Sequence, residues 1–166
     1  MRKRIAVCAL VLLLPVLLLS GCRKTPPWRF EPQREGSREF ALKTAHFSCE
    51  GTVEVTGCGL CKVTFSSPGS LTFVTMTENQ NELTVAVAAH TDTLDLETLP
   101  DNALIKLLFR SLQTFLYRNL AFEKGETDTV TAAAEVLGYP MTGVYSADGA
   151  LKTLRCAEMK LTVTFT

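Results

Sequence analysis

Six cysteines carry the sharpest chemistry in this sequence. Cys58-Gly59-Leu60-Cys61 has the CxxC spacing of redox dithiols and of metal knuckles. A redox pair needs a stabilised thiolate, and such motifs open a helix whose N-terminal dipole lowers the thiol pKa. Here Lys62-Val63-Thr64-Phe65 follows with the alternation of a strand, so that source of activation is missing. A metal site needs further ligands. His46 and Cys49 precede the pair, but residues three apart on a strand point to opposite faces and do not converge. Structural thiols or disulfides among Cys49, Cys58, Cys61 and Cys156 remain, with three pairings that spacing alone leaves open. A Cys58 to Cys61 bridge across a tight loop and a Cys49 to Cys156 bridge between neighbouring strands are the two to look for. His90-Thr91-Asp92 reads as a polar turn, and no GxSxG elbow, HExxH helix or Gly-rich phosphate loop occurs. The chain is therefore expected to be no enzyme, with no catalytic residue, no cofactor and no metal.

The element that must organise these residues is a helix over about 98–120. Apolar Leu104, Leu107, Leu108, Leu112, Phe115 and Leu116 recur at helical spacing, while Asn102, Lys106, Arg110, Gln113 and Arg118 take the other side. Thr98 and Asp101 have the spacing of a capping box, and Pro100 suits a first turn. Strands flank it. Phe47, Cys49, Gly51, Val53 and Val55 alternate with polar residues, and Cys61, Val63 and Phe65 return opposite them, so that Gly51 faces Phe65 and marks a bend. Further strands are expected over 71–77, 83–89, 94–96, 129–137, 141–146, 151–156 and 159–165, with polar turns at 78–82 and 90–93 and a polar loop at 123–126. Asp148-Gly149 is the strongest hairpin signal. Val130, Ala132 and Ala134 make a small-residue face, against which the helix or a ligand must pack. Seven to nine strands and one helix describe an α+β fold, mainly antiparallel: a curved sheet wrapped over one amphipathic helix too apolar to face water alone.

The amino terminus states a location. Arg2, Lys3 and Arg4 precede an apolar run from Ile5 to Leu19 that contains Pro15 and is too short to span a bilayer, which is the pattern of a signal peptide over 1–21. Without those three charges, 14 basic residues face 17 acidic ones. Residues 22–39 form a basic, Pro-containing tether with Pro26, Pro27 and Pro32, and as far as Arg38 it carries five basic residues against Glu31 and Glu35. From Glu39 onward nine basic residues stand against fifteen acidic ones, which argues against nucleic acid as a partner. Residues 40–166 are expected to form one domain.

Two resemblances join these observations. Leu19-Ser20-Gly21-Cys22 resembles the lipobox of bacterial lipoproteins, which implies diacylglycerol on the Cys22 thiol, acylation such as palmitate, and a lipid anchor on the extracytoplasmic face of the cell membrane. The element order, with its "PGSL" step, "LPDNALIKLLFRSL" and "YSADGALKTL", resembles the lipoprotein-localisation (LolA/LolB-like) family, including related lipoproteins of single-membrane bacteria. That resemblance implies an incomplete barrel, or half-barrel, around a helical plug with an acyl chain between them. Leu104, Leu108, Leu112, Phe115, Leu116, Val130, Ala132 and Ala134 are then the residues that either line the ligand space or fill the core. The expected function is binding, of a lipid or acyl chain or of an envelope protein partner, with a ligand-free structural or assembly lipoprotein, or a CxxC redox or metal-binding protein, as the alternative.

Overall fold

The structure, a computed structural model, describes residues 29–57 and 59–166; Cys22 and Cys58 lie outside them. Eleven strands form one antiparallel sheet: β1 (Gly36–Lys43), β2 (Ser48–Val55), β3 (Cys61–Ser67), β4 (Val74–Asn79), β5 (Glu82–Val87), β6 (His90–Asp95), β7 (Phe122–Lys124), β8 (Thr129–Val136), β9 (Tyr139–Ser146), β10 (Leu151–Cys156) and β11 (Leu161–Phe165). Their order is β6-β5-β4-β3-β2-β1-β11-β10-β9-β8-β7, two meanders joined where β1 pairs with β11. The sheet does not close, because β6 and β7 are its two edges. Among the described residues one helix, α1 (Leu104–Tyr117), packs on the inner face, and short 3-10 turns occupy Gly69–Leu71 and Leu96–Thr98. The expected half-barrel over one helix is the architecture observed.

The β2–β3 register follows the reading from sequence, with Val55 opposite Cys61, Val53 opposite Val63 and Gly51 opposite Phe65. The register shifts between Glu50 and Gly51, which is the bend. A Cβ on Gly51 would stand 2.2 Å from the Thr64 carbonyl oxygen, so only glycine fits that crossing.

Four expectations are corrected. The helix begins at Leu104, not near Thr98, and its N-cap Ala103 offers no side-chain cap. Leu99 precedes Pro100 in extended conformation, and Asp101 is drawn to Lys106, with Asp101 Oδ1 2.8 Å from its Nζ. Residues 90–93 are strand, with the turn at Ala88-Ala89. Glu78 does not start a polar turn: it is the fifth residue of β4 and is fully buried. Finally, β1 and β7 add strands where a tether and a loop were expected.

The strands define two rims. The chain enters β1 at Gly36 on one, beside the β2–β3, β4–β5 and β9–β10 turns. There the Gln33 N–H donates to the Gly149 carbonyl at 2.9 Å, fixing the entry to the Asp148-Gly149 hairpin. The opposite rim carries the β1–β2, β3–β4 and β5–β6 connections, and with them the exposed large apolar residues Phe47, Phe73 and Val87.

Candidate functional site

The residues expected to line a ligand space divide sharply. Leu108, Leu112, Phe115, Leu116, Val130 and Ala132 are buried, none more than 4% exposed, while Leu104 and Ala134 are partly exposed. A side chain that a water-sized sphere cannot touch lines no cavity of that size, so the helix fills the space around these six. The small-residue face of β8 accommodates the helix. On the neighbouring strand, the ring of Phe115 sits on Gly143, where a Cβ would stand 2.5 Å from the ring Cδ1. Tyr145 Oη donates to the Phe115 carbonyl at 2.6 Å, bonding one of the carbonyls that the helix end leaves unpaired.

The other flank of α1 is held by polar groups. Lys106 Nζ donates to the carbonyls of Leu99 at 2.9 Å and Glu97 at 3.3 Å. The guanidinium of Arg110 bonds Glu97 and Asn81 Oδ1, and Gln113 Nε2 donates to Glu78 Oε1 at 2.8 Å. Glu78 Oε2, fully buried, has no hydrogen-bond partner among the described residues. All these anchors sit on the entry-rim half of β4–β6, so the helix covers that half of the wing.

The other half is covered unevenly: Val74 on β4 is buried, while its neighbours on β5 and β6 are open. Registers place Met76 opposite Val85 and Val85 opposite Asp92, and Val74 opposite Val87 and Val87 opposite His90, all on the inner face. Exposure climbs along β5 from Leu83 at 1%, through partly exposed Val85, to Val87 at 46%. Met76 on β4 is likewise partly exposed, and Asp92 and His90 on β6 are exposed. An apolar inner surface thus projects past the helix toward the opposite rim, bordered at the sheet edge by a carboxylate and an imidazole. Two open hollows of about 410 and 670 Å³ lie elsewhere, lined mostly by outward-facing residues of β1–β2 and of β8–β10. Strand alternation alone puts Val85 and Val87 on one face of the strand; that they stay open there depends on where α1 ends its contacts.

The cysteines form no common site among the described residues. Cys49 and Cys156, expected on neighbouring strands, sit on β2 and β10 with β1 and β11 between them, about 14 Å apart by strand spacing, twice the reach of a disulfide. His46 lies in the β1–β2 turn, a strand length from Cys61 at the start of β3. The proposed Cys58 to Cys61 bridge falls partly outside the described residues. Burial pushes the Cys61 thiol up to about 12, with Glu78 adding to it, and burial beside Glu50 pushes Cys49 up to about 11. Both are thiols, not thiolates, at neutral pH. Iodoacetamide at pH 8 is expected to leave Cys49, Cys61 and Cys156 unmodified in the folded chain and to alkylate them in denaturant; peptide mapping that finds rapid native alkylation at Cys61 would contradict this.

No known family matches the sequence, and no curated protein matches it. Solved structures include likenesses to a LolA-superfamily protein from Nitrosomonas europaea, at TM-score 0.44 and 12% identity over 83% of this chain and 86% of that one. Another is LprF from Mycobacterium bovis, at TM-score 0.37 and 10% identity over 80% of this chain and 84% of that one. At this distance neither bears on what the chain binds. No helix among the described residues is long and apolar enough to cross a membrane.

Proposed function

We propose that this chain is a non-enzymatic lipoprotein, anchored through Cys22 on the extracytoplasmic face of the cell membrane, whose domain binds the apolar chain of a lipid on the unevenly covered half of the β4–β6 wing. The observation that carries the reading is the rise in exposure along one apolar face of β5, from 1% at Leu83 to 46% at Val87, beside partly exposed Met76 on β4. An inner-face stretch of this kind loses water contact when an alkyl chain lies on it. Each buried methylene contributes about 0.8 kcal/mol, so a chain covered over about eight methylenes gains about 6 kcal/mol and binds in the tens of micromolar range or more weakly.

Native mass spectrometry of the chain from Arg23 onward, with denatured masses alongside, is the first test. A bound mass of several hundred daltons that extracts as lipid is expected. Titration of the delipidated chain with dodecanoate then locates the site. Val85→Asp and Val87→Asp each place a charge on the contact surface at positions already open to water, so affinity should fall at least tenfold with the melting temperature within a few degrees of the parent. No uptake of lipid or dodecanoate, or uptake indifferent to both substitutions, contradicts the reading and favours a ligand-free structural lipoprotein.

A further inference from the structure

The two free edges of the sheet are unequal. β7 is three residues long, whereas β6 offers six, His90-Thr91-Asp92-Thr93-Leu94-Asp95, without proline, lysine or bulge; the charges that guard it are Asp92 on the inner face and Asp95 on the outer. Val87 and His90 close a two-residue turn, and the pair flanking such a turn is hydrogen-bonded. His90, Asp92 and Leu94 therefore turn their backbone groups toward β5, and Thr91, Thr93 and Asp95 turn theirs outward. The outward N–H and C=O groups of Thr91 and Thr93 bond to nothing among the described residues, and neither Asp92 nor His90 has an ion-pair partner there.

We propose that two copies of this chain pair edge to edge through β6, antiparallel about a two-fold axis at Thr91. The choice of register follows from the side chains. Keeping both inner faces on one side requires residues of like orientation to face each other, which leaves three registers: axes at Asp92 and Thr93 pair five residues of β6 with five, and an axis at Thr91 pairs His90 to Asp92 with the same three. An axis at Asp92 sets that carboxylate against its own copy about 4.5 Å away, and like charges directly opposite repel. An axis at Thr93 sets Asp92 against the partner's Leu94 and Thr91 against the partner's Asp95, whose carbonyl already accepts the Thr98 hydroxyl at 2.7 Å. An axis at Thr91 sets Asp92 against the partner's His90, twice over, and answers the unpaired carboxylate with the one imidazole on the same strand. The two wings then share one continuous inner floor with the His90 and Asp92 pairs across its middle. A contact of three strand residues per chain, His90 to Asp92, is far below a standard interface, so the pair is weak in free solution and is helped by confinement on a surface.

Cysteine scanning in the full-length chain tests the register directly. Thr91→Cys places two thiols in a hydrogen-bonded pair about 5.5 Å apart between Cα atoms, within disulfide range. Mild oxidation is expected to dimerise it at least tenfold faster than Thr93→Cys or the parent chain, and a mixture of His90→Cys and Asp92→Cys chains is expected to give the heterodimer. Thr91→Pro removes an outward N–H without touching the β5 ladder, so sedimentation velocity should show a concentration-dependent dimer for the parent and a monomer for this variant. Thr91→Cys crosslinking no faster than the parent overturns the proposal, as does fastest crosslinking at Thr93→Cys or a dimer that survives Thr91→Pro.

Discussion

Replacing Gly143 with valine is expected to destabilise the domain by about 3 kcal/mol, the upper part of the usual cost of overpacking. A Cβ at this position would stand 2.5 Å from Cδ1 and 2.9 Å from Cε1 of Phe115. The ring has nowhere to go: Phe115 is fully buried, and its carbonyl is held by Tyr145 Oη at 2.6 Å. Either α1 lifts from β9 or the strand bends. Urea unfolding reads the effect as a lower midpoint, and Gly143→Ala should show a smaller version of it. Combining Gly143→Ala with Phe115→Leu should recover part of the loss, because the two positions share one contact. Loss under 1 kcal/mol for the valine variant would mean that the ring is not seated on this glycine.

The complementary change, Phe115→Ala, removes the ring and is expected to cost about 4 kcal/mol, as large-to-small substitutions in closed cores do. The space left is lined by apolar groups and should stay dry, so xenon or benzene should bind to this variant and stabilise it while leaving the parent unaffected. Dodecanoate affinity at Val85 and Val87 should be unchanged in the fraction that remains folded, since those residues lie past the end of the helix's contacts. Equal stability of the variant and the parent would place the helix outside the core.

Both effects rest on features that the sequence showed unevenly. The inward stripe of α1 and the β2–β3 register were legible because each is a periodic pattern with one buried face, and a slip of one residue would expose every apolar side chain. The Asp148-Gly149 turn was legible for a local reason, the positive φ of 93° that Gly149 adopts. The start of the helix was not. Thr98, Pro100 and Asp101 have the composition of a helix entry, yet Lys106 draws Asp101 and the carbonyls of Glu97 and Leu99 to itself, and the chain stays non-helical to Ala103. Glu78 looked like a turn residue because its burial depends on Gln113 and on the Asn81 N–H 3.2 Å away, groups brought together only by the fold. The first four residues of β6 read as a turn, with a strand only over 94–96, because an edge strand wet on both faces has no alternation to read. As for the candidate site, alternation says which face of β5 is apolar, while the length of α1 and the place of its polar anchors decide where that face is left bare.

The most direct test of the account is a titration of the methyl-labelled chain with dodecanoate followed by solution NMR. Saturable shifts are expected at the methyl groups of Met76, Val85 and Val87, with Leu107, Leu112 and Val163 in the packed interior unmoved. Shifts centred on Leu108, Leu112 and Val130 would mean that the helix gives way and the ligand enters the core, and the absence of saturable shifts anywhere would remove hydrophobic-ligand binding as the function of this domain.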